Sequence, residues 1–162
     1  MIHTTSRVLV ADLRAHVDQT VTVSGWVNAL RLQRKMQFVI LRDHSGMAQV
    51  TYKRDGSPLE AIIESLTPES AVLITGRVVE AAQVNLGGLE IVPETIEVLN
   101  RAETPLPIDE HTGPEHRLDW RFLDVRKRAT AQMVFAAQTT LEQGLREYAM
   151  QNGCTEMHTR RS

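Results

Sequence analysis

One cysteine, Cys154, stands in this chain of 162 residues, so an internal disulfide is excluded and a reducing cytoplasm is the expected setting. No apolar run is long enough to span a bilayer. The first residues, Met-Ile-His-Thr-Thr-Ser-Arg, lack the apolar core of a secretory signal. Charge of one sign is also missing. Lys and Arg total 18 against 20 acids, so any basic surface must be local. Six histidines are present without metal-ligand spacing, and no cysteine pair supports zinc. His111 and His116 stand five apart in a proline-bounded stretch and read as solvent-exposed. There is no Walker-type loop, Gly87-Gly88 is a turn signal only, and nothing resembles a nucleophile elbow. No residue is assigned to catalysis, metal or cofactor. The chain reads as one that binds something and catalyses nothing.

What is present is a good core former. Hydrophobic residues make up 42% of the chain, and the length suits one ordinary domain with an appendage. Residues 8–19 alternate too little for a strand and read as a short helical segment. Alternation then predicts a strand at about 20–30, with Val21, Val23, Gly25 and Val27 on one face. Gly25 inside it predicts a bulge or a sharp bend. Strands at 36–42 and 47–54 form a hairpin around Asp43-His44-Ser45-Gly46. Asp55 to Pro58 is a turn, and 59–66 has helical spacing. A further strand covers 71–79, again with an internal glycine. After a break around 85–88, strand signals continue at 89–93 and 95–99. Three bent strands, one helix and two strands are the order of an OB-fold, a small five-stranded barrel.

Composition changes at residue 102. Pro105, Pro107, Gly113 and Pro114, with several charges, make 102–128 a linker rather than an element. Over 129–151 the period becomes helical, with Met133, Ala137, Leu141, Leu145 and Tyr148 along one stripe and Asn152-Gly153 as a left-handed stop. Cys154 to His158 is a candidate strand. The expected class is mainly β with an α appendage: a barrel domain over 1–101, the linker, and one long amphipathic helix opening an incomplete unit at 129–162. That helix needs a partner surface.

The hairpin carries the binding signal. If Val39, Leu41, Ala48 and Val50 fill a core, the opposite face presents Phe38, Gln49 and Arg42. A flat ring beside a group that donates and accepts suits an unstacked nucleobase; an ordinary half-buried hairpin has the same pattern. Between residues 31 and 42, Arg31, Arg34, Lys35 and Arg42 stand with no acid, so the loop joining the first two strands is locally basic. A second cluster, 117–128, has four arginines and a lysine against Asp119 and Asp124. It fits phosphate contacts or ion pairing with its own aspartates equally well.

Taken together, Ser24-Gly25-Trp26-Val27, Phe38-Val39-Ile40-Leu41-Arg42-Asp43, Gly46-Met47-Ala48-Gln49-Val50, the run Leu99 to Pro107, and Arg117-Leu118-Asp119-Trp120-Arg121-Phe122-Leu123-Asp124 resemble the N-terminal part of aspartyl-tRNA synthetases, nearer the archaeal-type, non-discriminating branch. The resemblance implies an OB-fold that binds the anticodon of tRNA-Asp, with tRNA-Asn as a possible second ligand, in the cytoplasm. Phe38 matches the aromatic residue that stacks on the middle uridine, and Gln49 the glutamine that hydrogen-bonds it. Arg31 matches a basic position approaching the anticodon, with Arg34 and Lys35 beside it. Glu90 matches an acid contacting a neighbouring base. Asn28 falls at a position associated with tolerance of the third anticodon base.

The chain also departs from that family. Arg126-Lys127-Arg128 stands where a proline is usual. Residues 129–159 resemble class II motif 1, the helix and strand of the dimer interface, but Arg160 replaces its hallmark proline. The helix over 129–151 is thereby expected to pair with a second copy or to dock on a synthetase. Motifs 2 and 3 have no counterpart in these residues, so no position inherits an aminoacylation role. ATP and magnesium are expected only for a full-length synthetase. A general single-strand-binding OB protein, and an asparaginyl- or lysyl-tRNA synthetase module, remain as alternatives.

Overall fold

A computed structural model describes residues 7–157. The chain divides into two compact units, 1–104 and 105–162. In the first, a 3-10 helix, Val10–His16, precedes β1 (Thr20–Leu32), β2 (Met36–Arg42), β3 (Met47–Lys53), α1 (Pro58–Ser65), β4 (Ala71–Glu80) and β5 (Leu89–Asn100). The strands close into a barrel in the order β1-β2-β3-β5-β4. This is the expected OB-fold. Every pairing between strand neighbours is antiparallel except β3 with β5, which run parallel.

The period-two pattern places the core where the sequence puts it. Val21, Val23, Val27, Val39, Leu41, Ala48, Val50, Val72, Ile74, Val78 and Ile91 are all buried inside the barrel. Ile63 of α1 joins the same core. Each buried Val, Leu or Ile among them contributes roughly 1.5–3 kcal/mol on leaving water.

Two features of the strands differ in detail from the sequence reading. The bulge in β1 falls between Val27 and Ala29, at Asn28, rather than at Gly25. Gly25 is needed for space instead, because a Cβ there would lie 2.4 Å from the Arg42 carbonyl oxygen. The pieces expected at 89–93 and 95–99 are one continuous strand passing through Pro93. The register shift between Thr75 and Gly76 in the partner strand falls where Gly76 faces Pro93, which has no N–H to give.

Asp43 secures the hairpin turn. One carboxylate oxygen accepts from the backbone N–H groups of Ser45 and Gly46 and from the Ser45 hydroxyl, at 2.7–3.0 Å. The other accepts from the N–H of Val10, fastening the 3-10 helix to the barrel. Burial pushes the Asp43 carboxyl up, but these four hydrogen bonds outweigh it and hold the group below its usual range. A carboxyl depressed in the folded state stabilises above its unfolded value of about 4 and loses that contribution as pH falls through the folded value. Between pH 7 and pH 3 the urea midpoint is therefore expected to fall more for the native chain than for Asp43→Asn.

The second unit corrects the reading of 102–128 as a linker. It carries α2 (Pro114–Asp119) and α3 (Arg121–Lys127), followed by α4 (Ala129–Gln151). Arg117, Arg121 and Arg128 all gather on Asp124, at 2.9, 3.6 and 3.2 Å, and Asp124 is only 1% exposed. Arg117 also donates to the carbonyls of Asp109, Glu110 and Thr112. Burial pushes the Asp124 carboxyl up; the bonds from Arg117 and Arg128 more than offset that and lower it. Of the two readings left open for this cluster, ion pairing with its own aspartate is the observed one for these three arginines. α4 ends as expected: Gly153 has φ 76°, its N–H bonds the carbonyl of Met150, and the N–H of Cys154 bonds that of Ala149. Residues 154–157 form no strand, and His158 lies outside the described residues.

Candidate nucleic-acid interface

Because Val39, Leu41, Ala48 and Val50 point inward, the alternate residues of β2 and β3 share the outer face. Register then lays them out in rows. Arg31 pairs with Phe38, and Phe38 pairs with Thr51. In the adjoining row Ala29 pairs with Ile40, Ile40 with Gln49, and Gln49 with Glu90 across the parallel join. Phe38 and Gln49 are thus diagonal neighbours, about 7 Å apart along the sheet. Phe38 is half-buried and makes no ring contact with another aromatic or a cation among the described residues.

The polar groups beside it are joined. Gln49 Nε2 donates to Thr51 Oγ1 at 3.2 Å, and Thr51 Oγ1 donates to Glu90 Oε2 at 2.7 Å. Glu90, expected to contact a neighbouring base, therefore also holds the strand that carries Gln49.

Arg31 is exposed beside Phe38, and Arg34 and Lys35 are exposed in the turn between β1 and β2. None of the three side chains has a hydrogen bond or ion pair to another described residue. Arg54 braces their turn. Its Nε donates to the Gln33 carbonyl at 2.8 Å, its N–H to the Lys35 carbonyl at 3.0 Å, and its guanidinium pairs with Glu60 and Glu64. The turn is held while its cations face solvent.

The structure does not bring Asn28 or Arg42 to the Phe38 row. Asn28 Oδ1 accepts from Arg42 Nη1 at 3.2 Å, and Arg42 Nη2 meets both carboxylate oxygens of Glu69 at 2.9 and 3.0 Å. These groups hold one another against the loop before β4. Two residues on the outer face were not singled out in the sequence. Lys53 is exposed and pairs with Met36, next to the Phe38–Thr51 row. Thr51 links Gln49 to Glu90. The signal for both was the alternation at 49, 51 and 53.

The barrel is an OB-fold whose outer face carries a ring, an amide and a carboxylate on sheet strands, with cations at one edge. Residues 21–99 match the model of the OB-fold nucleic acid binding domain. Over 160 residues the chain is 36% identical to the aspartate–tRNA(Asp/Asn) ligase of Archaeoglobus fulgidus, covering 94% of this chain and 37% of that enzyme. Asparaginyl-tRNA synthetase from Pyrococcus horikoshii superposes with a TM-score of 0.76 at 26% identity, over 90% of this chain and 34% of that one. Aspartyl tRNA synthetase from Entamoeba histolytica shares the fold, with a TM-score of 0.81 at 22% identity, over 98% of this chain and 40% of that one. The chain holds an OB-fold anticodon-binding domain that matches those of aspartyl-tRNA synthetases.

The chain spans little more than a third of the length of the A. fulgidus enzyme. ATP and magnesium belong to the catalytic core of a synthetase, outside these residues. Among the described residues no cluster of His, Cys, Asp or Glu fits a metal ion, and no helix is long and apolar enough to cross a membrane.

Proposed function

We propose that the outer face of β1, β2, β3 and β5 binds the anticodon loop of tRNA-Asp in the cytoplasm. Phe38 stacks on the splayed-out middle uridine and Gln49 reads its edge. Glu90, which accepts hydrogen bonds, takes an amino or imino hydrogen of a neighbouring base. Arg31, Arg34 and Lys35 contact phosphates and fix register. Asn28 acts on the third base through its bond to Arg42, and tRNA-Asn is a second ligand, as the name of the A. fulgidus relative has it. The observation that carries this reading is the register placing Arg31, Phe38 and Thr51 in one row with Gln49 and Glu90 in the next.

The test is a titration of the chain with a tRNA-Asp anticodon stem-loop, an unrelated stem-loop and oligo-dT. Preference for the first supports the reading; equal binding of all three overturns it in favour of a general single-strand binder. Affinity is expected to fall with salt. Replacing Arg31, Arg34 and Lys35 one at a time by alanine should flatten the logarithmic salt slope by about 0.7 for each phosphate no longer neutralised.

The exposed stripe of α4, with Met133 at 64%, Leu141 at 64% and Tyr148 at 70%, is the surface for a second copy or a synthetase core. Sedimentation as a strict monomer would exclude self-pairing.

A further inference from the structure

We infer that Thr51 fixes which way round the Gln49 carboxamide stands, and thereby makes the interface select uracil over cytosine. The inference rests on the reading of Gln49 just given and adds a positioning residue to it.

The chemistry of the chain of bonds settles its direction. Thr51 Oγ1 lies 2.7 Å from Glu90 Oε2 and 3.2 Å from Gln49 Nε2. A carboxylate oxygen only accepts, so the single hydroxyl hydrogen of Thr51 goes to Glu90. The Thr51 oxygen is left to accept, and of the two ends of a carboxamide only the amino end can donate to it. The order is therefore Gln49 to Thr51 to Glu90, whatever the starting orientation of the amide. Oε1 of Gln49 is turned away from Thr51 and has no partner among the described residues. Thr51 is itself buried, at 7% exposed.

Uracil and cytosine have nearly the same shape and stack equally well. They differ at C4, a carbonyl in uracil and an amino group in cytosine, and at ring nitrogen N3, which carries a hydrogen in uracil and a lone pair in cytosine. N3 is the atom that the Gln49 oxygen meets in this reading. A carboxamide free to turn over offers oxygen to the first and an amino group to the second. Held with its oxygen outward, it matches the N3–H of uracil. Cytosine in the same place sets lone pair against lone pair and leaves a polar group unpaired, the kind of mismatch that discriminates most strongly. Stacking on Phe38 supplies affinity without choice; the bond to Thr51 supplies the choice.

The experiment uses the full chain and two anticodon stem-loops that differ only in U or C at the middle position. The quantity read is the ratio of their dissociation constants. The native chain is expected to prefer the U loop. Thr51→Val, which keeps the shape and removes the hydroxyl, should lower the ratio about tenfold, within the range of one good base-edge contact. Thr51→Ser, which retains the hydroxyl, should preserve it. Glu90→Gln, able to donate or accept, lets the chain of bonds run either way and should also narrow the ratio; the neighbouring base is the same in both loops, so a direct contact there cancels. If Thr51→Val does not fold, Glu90→Gln decides alone. A native ratio in Thr51→Val, equal weakening of both loops, or loss of the ratio in Thr51→Ser would overturn the inference and leave the reading of Phe38 and Gln49 standing. Equal binding of both loops by the native chain would overturn that reading, and this one with it.

Discussion

Replacing Phe38 by alanine is expected to lower affinity for the tRNA-Asp anticodon stem-loop by about 5- to 150-fold, the equivalent of roughly 1–3 kcal/mol for one stacked base. Every loop with an unstacked base at that place should lose the same factor, because a π-face does not distinguish bases. Gln49→Ala should behave differently, with a smaller loss for the cognate loop and a reduced preference between loops. Phe38→Trp keeps a flat ring and should keep binding. The barrel itself should survive Phe38→Ala, since Val39 and Leu41, not Phe38, fill the interior. Fluorescence anisotropy with labelled stem-loops, beside thermal unfolding of each variant, separates binding from folding. Undiminished affinity in a folded Phe38→Ala chain would remove the proposed stacking site.

The largest stability effect is expected at Gly76. A Cβ added there would lie 2.4 Å from the Val92 carbonyl oxygen, 2.8 Å from Pro93 Cα and 2.9 Å from the Val92 carbonyl carbon. All three are backbone atoms of β5, so no side chain can swing aside. The strands must separate or the barrel must bend elsewhere. Gly76→Ala should cost about 3 kcal/mol or more, on the order of 12–24 °C in Tm for a unit of this size. Gly25→Ala meets the Arg42 carbonyl oxygen at 2.4 Å and belongs in the same range. Gly144, inside α4, is the contrast. Nothing lies within 4 Å of its Cβ position, and Gly144→Ala should instead favour the helix by about 1 kcal/mol. Circular dichroism melts of the three variants check the order.

The barrel was legible because its code is short-range. Alternation of Val39, Leu41, Ala48 and Val50 with Phe38 and Gln49 fixes the inward and outward faces without reference to any distant strand. Glycines inside strands announced corners, although local sequence could not tell a bulge from a close approach. At Gly25 the reason is a carbonyl seventeen residues further along the chain. The role of Thr51 was hidden for a similar cause. It depends on β5 lying parallel beside β3, a pairing between residues some forty positions apart that neither strand encodes alone. The helices α2 and α3 were missed because six and seven residues hold too few turns to display a period. Gly113-Pro114, with proline in the first helical turn, was the available start signal. The charges of 117–128 could be counted but not assigned, since their meaning lies in one buried carboxylate that three arginines share.

The parallel join between β3 and β5 consists of two residue pairs, Gln49 with Glu90 and Val50 with Ile91. It is the shortest in the barrel, and it runs directly beneath the groups proposed to meet the ligand. RNA laid across it would act as a clasp on the sheet's weakest seam. Amide hydrogens of β3 and β5 should then exchange more slowly in the complex, while those of the long β1–β4 ladder stay as they were. Recognition and mechanical closure of the barrel would be one event, felt by the same few residues.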